Sequence, residues 1–310
     1  MNRTIFTGVL PAITTPFGPD EEIDLEFFHR HVRWMLGHGC RGIVVAGSLG
    51  EGATLSGEER DRLLRTAVDA SGGRAPVIAS IAASSTRGAL AQAEQARDAG
   101  CRGLMVLPPH VYRGFGPDSW PEMRDHVAAV IAATDLECML YNNPIAYGVD
   151  FTPEQIADLA AAHPSLRAVK ESSADVRRIT AIRSLCGDSL AVLVGVDDLI
   201  VEGIDAGATG WIAGLVNAFP KESVSLFTLA ARGSTAPERA QALRLYSWFL
   251  PLLRMDVVPE FVHLIKLVQE AVGMGSVHVR RPRQRLPDHL RAEALRTIRA
   301  ALADWATVTA

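Results

Sequence analysis

The sequence contains little lysine, little cysteine and no long apolar run, and each shortage excludes a class of protein. Lysine provides only three of the 31 basic residues and the net charge is −4, so a strongly basic surface for nucleic acid is not expected. No apolar run reaches the ~18 residues of a membrane helix, and the N-terminal residues carry no signal-peptide or transit pattern. With 48% hydrophobic residues in 310, this predicts an ordered, cytoplasmic protein that is not attached to a membrane.

Cysteine is scarce and scattered, at Cys40, Cys101, Cys138 and Cys186. No two of these form a CxxC pair, and three lie in or beside apolar stretches, so we expect free, buried thiols in a reducing compartment. Metal patterns are also missing, since His29 and His31 are two positions apart on a predicted helix and face different ways. The adjacent Asp197 and Asp198 are more typical of a helix N-terminus than of a metal site. We predict no metal ion.

Short runs rich in valine, isoleucine and leucine recur along most of the chain, and helical patterns separate them. Their nearly continuous apolar character is typical of parallel strands covered on both faces. The predicted strands are 9–14, 42–46, 76–81, 103–107, 137–142, 166–170, 191–196 and 210–213. Eight strands alternating with helices predict an α/β fold, a (β/α)8 TIM barrel. A doubly wound open sheet is the alternative, but its Gly-rich dinucleotide turn is missing.

Almost a hundred residues follow the eighth predicted strand. Helical patterns there lie at 218–232, which would complete the barrel, and at 237–253, 259–272 and 288–307. We therefore predict a barrel over residues 1–233 and additional C-terminal helices over residues 234–310. A link between the last two patterns carries Arg280, Arg281, Arg283 and Arg285. We expect these arginines to pair with nearby acids rather than to form an anion site.

Lys170 is the strongest candidate for chemistry, because it ends the sixth predicted strand and barrel enzymes place chemistry at strand ends. Alternation along the strand puts Ala168 and Lys170 on one face, the barrel interior. Burial there would lower the pKa of the amine and make it a nucleophile that forms a Schiff base. A structural lysine paired with an acid such as Glu171 is an equal alternative. Lys221 and Lys266 are interpreted as surface or partly covered residues.

Two further features end neighbouring strands. Tyr141 ends the fifth predicted strand beside Lys170, where its phenol could shuttle protons; an aromatic rim residue is the alternative. The second strand leads into residues 47–52, Gly-Ser-Leu-Gly-Glu-Gly. Three glycines in this loop free backbone amides to face a carboxylate, although many strand–helix turns are equally rich in glycine.

Together these sites resemble the dihydrodipicolinate synthase / N-acetylneuraminate lyase family of class I Schiff-base lyases. The family pattern G-[ST]-[ST]-G-E matches residues 47–51, with one departure at Leu49. Its tyrosine motif matches Tyr-Asn-Asn-Pro at 141–144, and its lysine motif matches Val-Lys-Glu-Ser at 169–172. Similar motifs follow at 195–198, 210–212 and 279–282. The resemblance covers nearly the whole chain, in order and at the family's spacing.

The resemblance implies a mechanism. Lys170 would form an imine with a small 2-oxo acid, and Tyr141 would move the proton. Because the protonated imine is itself an electron sink, no cofactor is expected. The Ser48 hydroxyl would join the tyrosine relay as a third catalytic group. The residues implied to bind substrate are Gly47, Ser48, Leu49, Gly195 and Ile212.

Departures from the family pattern bear on the substrate. Dihydrodipicolinate synthases carry an arginine shortly after the tyrosine motif for the second substrate's carboxylate, whereas Ile-Ala-Tyr follows Pro144 here. Leu49 replaces their second threonine. Their tyrosine pair after strand four is also replaced, so the relay is incomplete unless Tyr112 or His110 substitutes. These features resemble a catabolic deaminase or dehydratase, such as 4-hydroxy-1-pyrroline-2-carboxylate deaminase.

The sequence leaves other functions open. A 2-keto-3-deoxy acid aldolase and a 4-hydroxy-tetrahydrodipicolinate synthase would use the same imine. A catalytically dead barrel that senses a 2-oxo acid is the non-enzymatic alternative, and the retention of Lys170, Tyr141 and the glycine loop together argues against it. The family also suggests a homotetramer. The helical patterns 237–253 and 259–272 carry more apolar residues than one helix face requires, which favours an oligomer unless these helices pack against one another.

Overall fold

Eight parallel strands form the centre of the computed structural model, which describes residues 4–114, 116–233 and 235–309. The strands are β1 (Gly8–Pro11), β2 (Ile43–Val45), β3 (Val77–Ile81), β4 (Gly103–Val106), β5 (Glu137–Asn142), β6 (Leu166–Glu171), β7 (Ala191–Val194) and β8 (Gly210–Ala213). Hydrogen bonds join them in the order β1-β8-β7-β6-β5-β4-β3-β2. A parallel bridge between Ala12 and Val44 closes the ring. The predicted (β/α)8 barrel is confirmed, and the open sheet is excluded.

Helices surround the barrel and continue beyond it. They are α1 (Leu25–Gly37), α2 (Gly57–Ser71), α3 (Thr86–Asp98), α4 (Trp120–Ala132), α5 (Pro144–Tyr147), α6 (Pro153–Ala162), α7 (Arg177–Cys186), α8 (Ile200–Asp205), α9 (Pro220–Arg232), α10 (Ala236–Leu253), α11 (Phe261–Ala271) and α12 (Asp288–Thr309). The capping box at the start of α2 is formed, with Ser56 accepting from the Glu59 amide and Glu59 accepting from the Ser56 amide.

The first strand is shorter than its apolar run predicts. Ladder pairing stops at Pro11, and the next residues connect other elements instead. The Ile13 amide donates to the Val44 carbonyl at 3.0 Å and so helps to close the barrel. Thr14 donates to Gln269 Oε1 at 3.0 Å through its hydroxyl, which ties the first strand to α11. Apolar character alone could not distinguish this closing segment from a strand.

The C-terminal helices pack tightly on the barrel. Phe219, which precedes α9, makes edge contacts with Trp248, Phe249 and Trp305, and one apolar core includes residues from the barrel and from α10, α11 and α12. Most apolar residues of α10 and α11 point into this core, whereas Leu243 is 46% exposed. Packing within the chain therefore accounts for the apolar excess that favoured an oligomer. The predicted boundary between residues 233 and 234 stays a prediction.

Candidate active site

Lys170 lies near the end of β6 and points into the barrel. It is buried, it is paired in register with Tyr141 of β5, and its Nζ lies 4.0 Å from the centre of that tyrosine ring. Burial lowers the pKa of the amine, although electrostatic attraction by Asp256, Tyr147 and Asp197 opposes the shift. The predicted inward orientation is confirmed, since Ala168 on the same face lines the barrel interior.

The alternative ion pair between Lys170 and Glu171 is not formed. Glu171 accepts hydrogen bonds from Asn142 Nδ2 at 3.1 Å and from the Ser173 amide at 2.7 Å. Its nearest cation is Arg178, at 3.8 Å. Successive residues of a strand face opposite sides, so the glutamate cannot reach the barrel interior.

Two tyrosines and a serine stand beside the lysine. The rings of Tyr141 and Tyr147 meet edge to face at 5.7 Å, and the Tyr147 hydroxyl shares a short hydrogen bond with Ser48 Oγ. Asn143 Nδ2 donates to the Tyr141 hydroxyl oxygen at 2.9 Å. Burial raises the pKa of both phenols to about 12, so both keep their protons at neutral pH. Ser48 is therefore hydrogen-bonded to Tyr147, whose ring contacts that of Tyr141.

Tyr147 is the residue that the sequence analysis missed. It ends the one-turn helix α5, which Asn143 starts by accepting a hydrogen bond from the Ala146 amide at 2.9 Å. The two residues expected to replace the family's tyrosine pair, Tyr112 and His110, make other contacts. The Tyr112 hydroxyl donates to Glu122 Oε2 at 3.0 Å, and His110 packs edge-on against Tyr147 at 4.9 Å. The aromatic that completes the group thus follows strand five and not strand four.

The glycine-rich loop 47–52 turns at the same end of the barrel. Within the described parts of the chain, the amides of Ser48 and Leu49 donate no hydrogen bond, which leaves them available to a ligand. Gly52 is required for the turn, because a Cβ there would lie 2.0 Å from the Ala46 carbonyl oxygen. This geometry agrees with a carboxylate-binding loop.

The base of the loop is held by a buried ion pair that the sequence analysis did not anticipate. Lys266 of α11, interpreted there as surface or partly covered, is buried, and its Nζ lies 2.6 Å from Glu51 Oε1. It also donates to the His278 carbonyl at 2.6 Å. The sequence pattern did not indicate the burial of Lys266, because α11 carries apolar residues around most of its circumference. Lys221, in contrast, is exposed as expected.

The four arginines of the C-terminal link pair with acids, as predicted. The pairs are Arg280 with Glu59, Arg281 with Glu21, Arg283 with Glu51 and Arg285 with Asp288. Two of them reach the same loop, since the Arg280 amide also donates to Glu51 Oε2 at 3.1 Å. The link therefore fixes the glycine-rich loop instead of forming a separate anion site.

Gly195 and Ile212 complete the surroundings of the lysine. A Cβ on Gly195 would lie 2.6 Å from Lys170 Cε, so any side chain there would displace the amine. Ile212 of β8 is buried in the interior cluster that contains Tyr141 and Tyr147. All the residues predicted to bind substrate thus come from the C-terminal ends of the barrel strands or from the loops that follow them.

Two aspartates approach the site from the side of β7 and β8. Asp197 accepts from Trp211 Nε1 at 2.8 Å and from the amides of Gly214 and Leu215 at 3.1 Å. It therefore caps the turn after β8, and it also begins the short helical turn Asp197–Leu199 before α8, as the sequence predicted. Burial raises its pKa to about 6 despite these donors. Asp256, from the turn between α10 and α11, has its pKa raised by burial and by Asp197.

Thiols and metal ligands add nothing further to the site. Cys40, Cys101 and Cys138 are buried and Cys186 is half-buried, and all four are free thiols. Burial raises the pKa of each, which makes them poor nucleophiles. Across the ranges that the structure describes, no three histidine, cysteine or acidic residues are grouped as metal ligands, and no helix is long and apolar enough to cross a bilayer.

Comparison with known proteins shows the family of the chain. The model of the dihydrodipicolinate synthetase family matches residues 5–301. The chain belongs to this family. Two similar curated relatives are both named 4-hydroxy-tetrahydrodipicolinate synthase. The protein from Xanthomonas axonopodis pv. citri is 36% identical over 77% of this chain and 78% of its own. The protein from Exiguobacterium sibiricum is 32% identical over 96% and 98%.

A solved structure extends the family relation to three dimensions. The dihydrodipicolinate synthase from Thermotoga maritima superposes with a TM-score of 0.87 at 27% identity, over 97% of this chain and 99% of its own. Members of the family are class I Schiff-base lyases, and this chain is an enzyme of that class.

Proposed function

We propose that the enzyme forms an imine between Lys170 and a small 2-oxo acid. The observation that carries this proposal is the placement of Lys170, whose amine is buried inside the barrel end and forms no ion pair among the described residues. Burial favours the neutral amine, which is the form that attacks a carbonyl carbon. The free amides of Ser48 and Leu49 would hold the carboxylate of the same substrate.

Proton transfer is assigned to the tyrosines. Tyr141, with its ring against Lys170, moves the proton to and from the carbinolamine and the neighbouring carbon. Tyr147 and Ser48 connect this phenol to the glycine-rich loop. Since both phenols have a raised pKa, each begins the reaction protonated and acts first as a donor.

For the reaction that follows the imine, the charges near Lys170 support elimination from a hydroxylated or amino substrate. Asp256 and Asp197 are the acids that act most strongly on the lysine, and a second carboxylate would be repelled by an ionised Asp197. We therefore propose a deaminase or dehydratase, with 4-hydroxy-1-pyrroline-2-carboxylate as the first substrate to test.

Condensation is the second candidate, because the curated relatives carry the name 4-hydroxy-tetrahydrodipicolinate synthase. One guanidinium could serve it: a Cβ on Gly148 would lie 2.6 Å from Arg113 Cγ, so this arginine lies over the turn after Tyr147. It comes from the strand-four loop and not from the position after Pro144. An aldolase reaction on a 2-keto-3-deoxy acid would use the same imine.

Borohydride reduction in the presence of pyruvate tests the imine. Mass should be added on the peptide that contains Lys170, and labelling that persists in Lys170→Ala would refute the assignment. A parallel panel separates the reactions: 4-hydroxy-1-pyrroline-2-carboxylate assayed for ammonia, 2-keto-3-deoxy acids assayed for pyruvate, and pyruvate with aspartate semialdehyde assayed for the condensed ring. The substrate with the highest kcat/KM identifies the reaction.

Assembly and location complete the proposal. The family resemblance supports a homotetramer in the cytoplasm, while the packing of α10 and α11 within one chain gives no additional support. Light scattering at micromolar concentration tests the assembly. A mass near 33.4 kDa, that of one chain, would refute any oligomer.

A further inference from the structure

Asp256 carries a buried oxygen with no partner. The residue ends the short turn Arg254–Asp256 between α10 and α11, and its Oδ1 atom is enclosed and accepts no hydrogen bond within the described ranges. Buried polar atoms nearly always have a partner, and an exception calls for a ligand or a functional reason. The mechanism proposed above leaves this atom unused.

The carboxyl group lies at the barrel end that holds the active site. A Cβ on Gly214 would lie 2.1 Å from Asp256 Oδ1 and 2.8 Å from Oδ2, so the carboxyl rests against the backbone directly after β8. That backbone also binds Asp197. Among charged groups, Asp256 has the largest effect on the pKa of Lys170. These contacts place Asp256 at the same barrel end as the amine, beside the backbone that follows β8.

We infer that Asp256 is the acid that protonates the leaving hydroxyl group of a 4-hydroxy substrate bound as an imine to Lys170. The inference rests on the proposed function and assigns the elimination step of that reaction. It also states a substrate class: 2-oxo acids, or their cyclic imines, that carry a hydroxyl two carbons beyond the imine carbon.

Elimination proceeds through an enamine. Tyr141 first gives its phenol proton to the group that leaves as the imine forms. The resulting phenolate then takes the proton from the carbon next to the imine carbon, and the electron pair of that C–H bond forms the enamine. The enamine then expels the hydroxyl from the following carbon, and the C–O bond breaks as the O–H bond to the Asp256 proton forms. Water leaves, and a conjugated iminium remains on Lys170. Asp256 becomes a carboxylate, and the proton that Tyr141 took from carbon returns to it through solvent.

The surroundings of Asp256 supply the required proton. Burial raises its pKa well above the usual range, and the nearby acids Asp197 and Asp198 add to this, against the opposing effect of Lys170. Burial lowers the pKa of Lys170 in turn. Both shifts favour the neutral pair, in which the carboxyl holds the proton and the amine is free to attack.

A leaving-group comparison tests the inference in the full-length enzyme. Asp256→Asn keeps the shape of the side chain and removes its acidic proton. Turnover of the 4-hydroxy substrate should fall by ~10²–10⁴, the usual range for general acid catalysis. Turnover of the 4-fluoro analogue should fall far less, because fluoride leaves without full protonation. Borohydride trapping with pyruvate should be unchanged, since imine formation does not use this proton.

Two further variants keep the result interpretable. Gly214→Ala moves the carboxyl without altering it and should reproduce the selective loss. Asp205→Asn, at a surface aspartate that pairs with Arg239 at 2.9 Å, should leave both substrates unaffected. An equal loss for the hydroxy and fluoro substrates in Asp256→Asn would show a structural role and overturn the inference, as would full activity. Failure of wild-type trapping would instead refute the proposed imine itself.

Discussion

Two buried lysines serve opposite purposes in this barrel. Lys266 Nζ lies 2.6 Å from Glu51 Oε1 and donates to the His278 carbonyl, and it also stands 4.8 Å from the Phe17 ring centre. Lys170 Nζ faces the Tyr141 ring at 4.0 Å and forms no ion pair among the described residues. Burial lowers the pKa of both amines.

The difference shows that burial alone does not make a lysine a nucleophile. Lys266 donates hydrogen bonds to a carboxylate and a carbonyl, so its role is to hold the glycine-rich loop through Glu51. The donors of Lys170 are left for a substrate. A lowered pKa therefore points to function only where the amine also lacks a tightly bound acid.

The largest expected effect follows from removing Lys170. Lys170→Met should abolish both turnover and borohydride trapping, because no other amine among the described residues stands beside Tyr141. The midpoint of thermal unfolding should stay or rise, since a desolvated amine is replaced by an apolar side chain. Residual trapping on another peptide would contradict the assigned difference between Lys170 and Lys266, because a second lysine would then be reactive.

Removing the Tyr141 hydroxyl comes next. Tyr141→Phe should lower kcat by ~10²–10⁴, while imine trapping suffers less because the amine and the carboxylate loop are untouched. Tyr147→Phe is the matched variant and should cost about tenfold, equivalent to one hydrogen bond of ~1.4 kcal/mol. Equal losses would mean that the two phenols act as one unit, and an unchanged rate in Tyr141→Phe would remove it from the mechanism.

For the second lysine, the effect should appear in stability. Lys266→Met leaves Glu51 buried without its closest cation and should destabilise the fold by about 3 kcal/mol, the lower end of the usual cost because Arg283 and the Arg280 amide still face the carboxylate. Denaturant unfolding measures this. Lys221→Met, at an exposed position, is the control. The double variant Glu51→Leu, Lys266→Met should recover much of the loss, and no recovery would contradict a simple ion pair.

The sequence predicted the barrel well because its signals are local. Apolar runs, capping residues and strand alternation each act within a few positions, and alternation correctly turned Lys170 inward. The motifs at residues 47–51 and 141–144 likewise sit on single strand ends. Such features can be recognised in the sequence without knowledge of the tertiary structure.

What the sequence could not predict depends on contacts across the chain. The Tyr147 hydroxyl meets Ser48 from 99 residues away, and only the one-turn helix α5 aims it there. Lys266 meets Glu51 from 215 residues away. Asp256 lies in a turn between helices, where no periodicity marks a buried carboxyl. The one local signal available was a lysine between Ile265 and Leu267 in an otherwise apolar segment.

The smallest expected effect concerns the pH dependence of imine formation. Lys170 attacks only when neutral, so trapping should rise with pH through its pKa and then level off. Because burial lowers that pKa below the ordinary 10.5, the rise should finish at lower pH than for an exposed lysine. Asp256, Tyr147 and Asp197 are the groups that oppose the shift. If Asp256 is protonated in the free enzyme, Asp256→Asn should leave the midpoint of the trapping profile in place. A midpoint that moves to lower pH would show that an ionised Asp256 had been stabilising the ammonium, and such a carboxylate holds no proton to give to the leaving group.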